Sequence, residues 1–221
     1  GARAARPRAG PADALEAGGR RGFDYMVFVQ EWAGTFCQEQ HCRQKPAEEV
    51  FTVHGLWPNY ADGGYPAFCD KSRKFDPSAV QDLVPDLQRF WMSYPSSDAS
   101  FWKHEWEKHG TCAAPSVKDE HSYFEEGLKL YKQLDVMKAL QAAGIAPSDR
   151  EHYSAADVAA AVEKGTGVAP LLKCSGGALE EVWFCVDKQL RPYSCGALEG
   201  QQQRRALAGD NCKSSLQIPT F

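Results

Sequence analysis

The chain has 221 residues, 43% of them hydrophobic, and 25 basic against 29 acidic side chains give a formal net charge of -4. That length and apolar content suit one domain with a sizeable core. The slightly acidic balance excludes a protein that grips nucleic acid through a broad basic surface. Eight cysteines without a C-x-x-C pair point to disulfides in an oxidising compartment, secreted or vacuole-like, and not to a zinc site. No apolar run approaches the ~18 residues of a membrane span, so no membrane partner is expected. No signal-peptide core remains at the start, and the chain is expected to be a processed form.

Residues 1–22 are Ala, Gly, Arg and Pro without periodicity, too poor in apolar surface to offset ordering entropy. They are expected to be a disordered leader, with residues 23–221 as the single folded domain. Phe23 to Trp32 is apolar, aromatic and β-branched, the profile of a buried central strand. Only Gln30 and Glu31, at its end, are polar enough to face a cleft. Cys37 and Cys42 then bracket a short loop containing His41. Glu49 to Val53 alternates into a second strand and delivers His54 at its end. Gly55 and Pro58 predict an irregular turn that presents Trp57, Asn59 and Tyr65 on a loop. Asp76 with Pro77 starts a helix expected to reach about Trp91, bent at Pro85.

The stretch Phe101 to Cys112, FWKHEWEKHGTC, carries the densest chemistry. On a helical wheel of about 100° per residue, with His104 at zero, Lys108, Phe101, Glu105 and His109 fall near about 40°, 60°, 100° and 140°. One face therefore gathers two imidazoles, a carboxylate and an ammonium. Trp102 and Trp106 pin the helix to a core, while Lys103 and Glu107 point to solvent. Ordinary i,i+4 surface pairing is the bland alternative. A zinc site is the other, because His-Glu begins an HExxH string. Position 108 is Lys, however, and His104 and His109 lie about 140° apart on the wheel, so no metal is expected.

Residues 119–143 show helical apolar spacing at Phe124, Leu128, Tyr131, Leu134, Met137 and Leu140, with His121 on the surface. Ser154 and Asp157 start a further helix to about Lys164. The tail alternates strand and turn through VAPLLKC, LEEVWFCVD and LQIPTF. Strands, then helices, then strands again predict an α+β class built on a central antiparallel sheet.

Two segments, FTVHGLWPN and FWKHEWEKHGTC, in a disulfide-rich α+β chain resemble the active-site segments of the ribonuclease T2 family. FDYMVFVQEW, YPAFCD, the cysteine spacing and the closing IPTF resemble its plant S-like branch. The resemblance implies a metal-independent endoribonuclease without cofactor, acting as a monomer on single-stranded RNA and not on DNA. The 2′-hydroxyl would attack the phosphorus to give a 2′,3′-cyclic phosphate, then a 3′-phosphate, with low base specificity.

Residue by residue, the resemblance implies His54 and His109 as the catalytic pair, His104 on the phosphate, and Glu105 and Lys108 stabilising the transition state. Trp57, Asn59 and Tyr65 would hold the base on one side of the scissile phosphate and Phe101 the base on the other. Gln30 is a further candidate for that second pocket, although the family usually reads Gln-Gln-Trp-Pro where this chain has Gln-Glu-Trp-Ala. Eight cysteines alone leave their pairing open. The resemblance implies Cys37 with Cys42, Cys69 with Cys112, Cys174 with Cys212 and Cys185 with Cys195. Two rival readings use the same fold: a non-catalytic storage or carbohydrate-binding relative, against which both histidines stand, and a self-incompatibility ribonuclease, against which the acidic pI of about 5.9 stands.

Overall fold

The computed structural model of the chain describes residues 22–198 and 210–221. The expected leader lies outside them apart from Gly22. Strand β1 (Tyr25–Glu31) is buried along its whole length because it is paired on both sides, antiparallel to β2 (Thr52–Asn59) and to β5 (Ala178–Val186). Strand β4 (Leu171–Ser175) lies beyond β5, and β6 (Pro192–Tyr193) adds a short pairing to β5. A second small sheet joins β3 (Tyr153–Ser154) to β7 (Ser215–Leu216). The α+β antiparallel class is as expected.

Alternation along β1 sorts the molecule into two faces. Met26 and Phe28 enter the large core with Phe124, Leu128 and Tyr131 of α4 (Glu120–Gln133), where each fully buried Leu or Phe stabilises by about 1.5–3 kcal/mol. Tyr25, Val27 and Val29 belong to a smaller cluster with Leu171 and Cys185, against which Trp57 and Trp183 pack. Helix α4 covers the Met26 and Phe28 face of the sheet, while Val27, Trp57 and Trp183 lie on the other.

Several elements differ from the sequence reading. Residues 33–39 form a short helix, α1 (Ala33–Glu39), so Cys37 is helical and not the start of a loop; its N-cap, Trp32, makes no side-chain capping bond that would mark it. Asp76 caps only a 3-10 turn over Pro77–Val80, through the Ser78 N–H. Pro85 sits in the first turn of α2 (Val84–Phe90), where a missing N–H costs nothing, so it opens a helix and does not bend one. The long helix expected over 119–143 is two: α4 ends near Leu134, and Asp135 accepts from the Lys138 N–H to cap α5 (Val136–Ala142). The helix from Ser154 is α6 (Ala155–Thr166), ended by Gly167 at φ 78°.

The closing LQIPTF segment pairs through Leu216 with Tyr153 and through Gln217 in a parallel bridge with Ala178, with Ile218 buried and the Pro219 carbonyl accepting from Trp32 Nε1 at 2.8 Å. All four disulfides join the pairs that the resemblance implied. Among the described residues no helix is long and apolar enough to cross a membrane.

Candidate active site

The second strand does not stop at His54. It runs on through Gly55 and Pro58 to Asn59, and Pro58 is tolerated because β2 is an edge strand. Trp57 and Asn59 therefore stand on a strand, not a loop; Tyr65 alone of the three is in the loop beyond. The pairing of β1 with β2 shifts at this point: Val29 faces Gly55 and Gln30 faces Val53. His54 is the extra, bulged residue between them. Such a bulge re-aims a side chain, and here it puts the imidazole on the face that also carries Gly55 and Trp57.

The opposite wall is α3 (Asp98–Lys108), capped by Ser97 accepting from the Ser100 N–H. Trp102 and Trp106 are buried as the wheel requires, and so is Glu105, at 2% exposure. Trp102 Nε1 donates to the Trp91 carbonyl at 2.7 Å, and Trp91 Nε1 to the His54 carbonyl at 3.2 Å, linking the two walls through one ring. Glu107 does not point freely to solvent with Lys103: it is half-buried, lies 3.7 Å from Lys74 Nζ and accepts from the Phe75 N–H.

Between the walls lies a cleft of about 350 Å³, lined by His54, Trp57, Asn59, Tyr65, Phe101, His104, Glu105, Lys108 and His109 together with Val27 and Trp183. Nine of the ten expected active-site and substrate residues thus meet in one place. The tenth, Gln30, does not: it is fully buried on the helix side of the sheet, where Nε2 donates to the Leu134 carbonyl at 2.6 Å. It is a core residue. Its neighbour Glu31 is the polar group of β1 that faces the site.

Glu31 and Glu181 are the residues that sequence reasoning did not assign to the site. His54 Nδ1 donates to Glu181 Oε1 at 2.7 Å and lies 3.5 Å from Glu31 Oε1. Trp183 Nε1 holds the other oxygen of Glu181 at 2.7 Å. The available signal was alternation in LEEVWFC, which sets Glu181, Trp183 and Cys185 on one face.

Trp57 Nε1 donates to Glu105 Oε2 at 2.9 Å, tying strand to helix. This bridge passes over Gly55, where an added Cβ would collide with both Trp57 Nε1 and Glu105 Oε2. Gly55→Ala is therefore expected to displace both groups and lower kcat by about 10²-fold, the cost of small misplacement in a site. Steady-state kinetics checks it, with circular dichroism unchanged; a kcat equal to the parent's would mean that the bridge plays no part.

Burial would lower the His54 pKa, but Glu31 and Glu181, with Glu105 behind them, outweigh it and push it up to about 10. His109 moves the other way. Burial, then Lys108, His104 and His54, bring it down to about 3, and among the described residues its Nδ1 has no hydrogen-bond partner. Burial drives Glu105 up to about 7 against the pull of His54, the Trp57 indole and Lys108. His104 is lowered by burial, Lys108 and His54, which favours its neutral form in the free cleft.

The rings stack into a lining. His54 and Trp57 lie 4.9 Å apart, Trp57 and His109 5.5 Å, Tyr65 and His109 6.0 Å, and His54 and Phe101 5.9 Å between centroids. Lys108 Nζ sits 5.7 Å over the Tyr65 ring. Tyr65 itself is 53% exposed at the mouth. One wheel inference fails: His104, Glu105 and His109 bring their donor atoms within 4.8 Å of one another, because His109 is the C-cap, at φ -110° and ψ -48°, beyond the last helical residue.

The sequence model of the Ribonuclease T2 family matches residues 23–195. Extracellular ribonuclease LE of Solanum lycopersicum is 38% identical over 212 residues, which cover 90% of this chain and 88% of that protein. Intracellular ribonuclease LX of the same plant is 34% identical over 212 residues, covering 90% and 85%. Among solved structures, RNase NT in complex with 5′-AMP superposes with a TM-score of 0.79 at 34% identity, over 90% of this chain and 99% of that one.

Proposed function

Because the chain belongs to the ribonuclease T2 family and is a ribonuclease acting on RNA as an endonuclease, we propose that it works by 2′-hydroxyl attack, with His109 as the base and His54 as the acid. The observation that carries this reading is the opposite poise of the two imidazoles that line one cleft. A neutral His109 can accept the 2′-hydroxyl proton. A protonated His54, with Nδ1 engaged by Glu181, has Nε2–H free to protonate the departing 5′-oxygen.

Lys108 and the donor His104 face the phosphoryl oxygens, and Glu105, held at Oε2 by Trp57, orients between the two histidines. Trp57, Tyr65 and Phe101 offer ring faces to bases, and stacking of about 1–3 kcal/mol per base discriminates little, which supports low base specificity. Asn59 Nδ2 donates to the Trp57 carbonyl at 2.9 Å, leaving its Oδ1 for a base edge. RNase NT, solved with 5′-AMP, supports a nucleotide-sized ligand in this cleft.

The four disulfides support an oxidising destination, outside the cell or in a vacuole. A non-catalytic role is disfavoured because His54 and His109 are both present and both line the cleft.

The test is digestion of the set of dinucleoside phosphates in excess EDTA, with the ends identified. Early products are expected to carry 2′,3′-cyclic phosphates that convert to 3′-phosphates, with comparable rates across bases. Activity lost in EDTA and restored by a metal, or direct formation of 5′-phosphate ends, would overturn it.

A further inference from the structure

We infer that Glu31 is a positioning residue for the acid histidine: with Glu181 it forms a two-carboxylate clamp on Nδ1 of His54 that keeps the imidazolium in place as the pH rises. The inference rests on the reading of His54 as the acid.

Glu31 and Glu181 are direct cross-strand partners of β1 and β5, and their side chains are only 11% and 12% exposed. Like charges directly opposite in a sheet destabilise it, and buried carboxylates need a partner. The bulge of β2 supplies one. It sets His54 within 3.5 Å of Glu31 and 2.7 Å of Glu181, so two buried carboxylates and a cleft-facing imidazole form a triad, acid–imidazolium–acid, drawn from three strands.

The two carboxylates are not equivalent. Glu181 accepts the Nδ1 hydrogen bond and is itself fixed by the Trp183 indole, so it sets the ring's direction. Glu31 stands off at 3.5 Å and acts by charge. Burial pushes its own carboxyl up to about 7, against the pull of His54, so it ionises as the pH nears neutrality. That is where an unassisted imidazolium, with an ordinary pKa near 6.5, would lose its proton.

The other titratable groups near His54 are Glu105 on α3, which adds to the hold, Glu180 beside Glu181 on β5, whose carboxyl His54 pulls down, and, across the cleft, Lys108 with His104 and His109, both imidazoles lowered toward their neutral forms. None of these touches Nδ1. The backbone around Glu31 is secured separately: the Tyr94 hydroxyl donates to the Glu31 carbonyl at 3.2 Å.

Glu31→Gln keeps volume and removes the charge. The alkaline limb of its kcat/KM profile is expected to move down by about 1–3 units, the range for loss of a near opposite charge, while the acidic limb, set by His109, stays. The NMR titration of the His54 ring, followed in the same variant, is expected to fall by the same amount. Glu31→Asp, which keeps the charge, is expected to titrate His54 above Glu31→Gln.

A His54 titration identical in parent, Gln and Asp variants overturns the inference, as does a uniform loss of rate with neither limb moved, which would mark Glu31 as merely structural. A ring titration that falls without any movement of the alkaline limb upholds the clamp and instead overturns His54 as the acid.

Discussion

His54→Ala and His109→Ala are each expected to lower kcat on RNA by about 10²–10⁴-fold, the usual worth of a general acid or base. Single-turnover cleavage of a defined oligonucleotide checks this, and a parental rate in either variant would remove that residue from the mechanism. The two are not equivalent in stability. His109 is buried, and among the described residues its Nδ1 has no hydrogen-bond partner, so its loss leaves no charge stranded. Removing His54 leaves Glu31 and Glu181 facing each other across β1 and β5 without their cation, and the variant is expected to melt below the parent. Lys108→Ala, which loses only charge stabilisation, is expected to cost about 10²–10³-fold.

The cleft helix, α3, is legible because the side chains it turns to the cleft repeat on one helical face, and their neighbours Trp102 and Trp106 announce the buried back. The second histidine segment was legible as chemistry but not as geometry. Nothing in FTVHGLWPN marks a bulge; that arises from the pairing of Val29 with Gly55 and of Gln30 with Val53, a relation between distant segments. The choice between Gln30 and Glu31 failed for a related reason. Strand β1 is buried on both faces, so its hydrophobic run carries no alternation to say which face meets the core. Glu181 lies 127 residues from His54, and only the completed sheet makes them neighbours. The breaks at Asp135 and Pro85 were readable in principle, since both residues favour helix starts. Strong apolar spacing on either side of Asp135 masked the first. His109 escaped the wheel because a wheel assumes the helix continues.

Substrates without a free 2′-hydroxyl are expected to bind in the cleft and remain uncut. In the proposed reaction His109 takes the proton of the 2′-hydroxyl, the 2′-oxygen forms a new bond to phosphorus, and the bond to the 5′-oxygen breaks as that oxygen takes the proton of His54. Charge on the two non-bridging oxygens is met by Lys108 and His104. Every group the protein supplies is thus a proton carrier or a donor, and the nucleophile belongs to the RNA. A nucleophile built into the substrate has the advantage of an intramolecular reaction, with effective molarities of about 10⁵–10⁸ M. Deoxy and 2′-O-methyl analogues forfeit all of it, so their cleavage is expected to fall by about 10⁵-fold or more. Their contacts through phosphate and stacked bases persist, so each is expected to inhibit competitively with an inhibition constant near the KM of the matching RNA. The opposed shifts of His109 and His54 fix the sign of the pH dependence with RNA. Rate is lost on the acidic side as His109 gains a proton, at a pH below an ordinary histidine's, and on the alkaline side as His54 loses one, at a pH above it. Cleavage of 2′-O-methyl RNA at the rate of unmodified RNA would refute attack by the 2′-oxygen and require an activated water in its place.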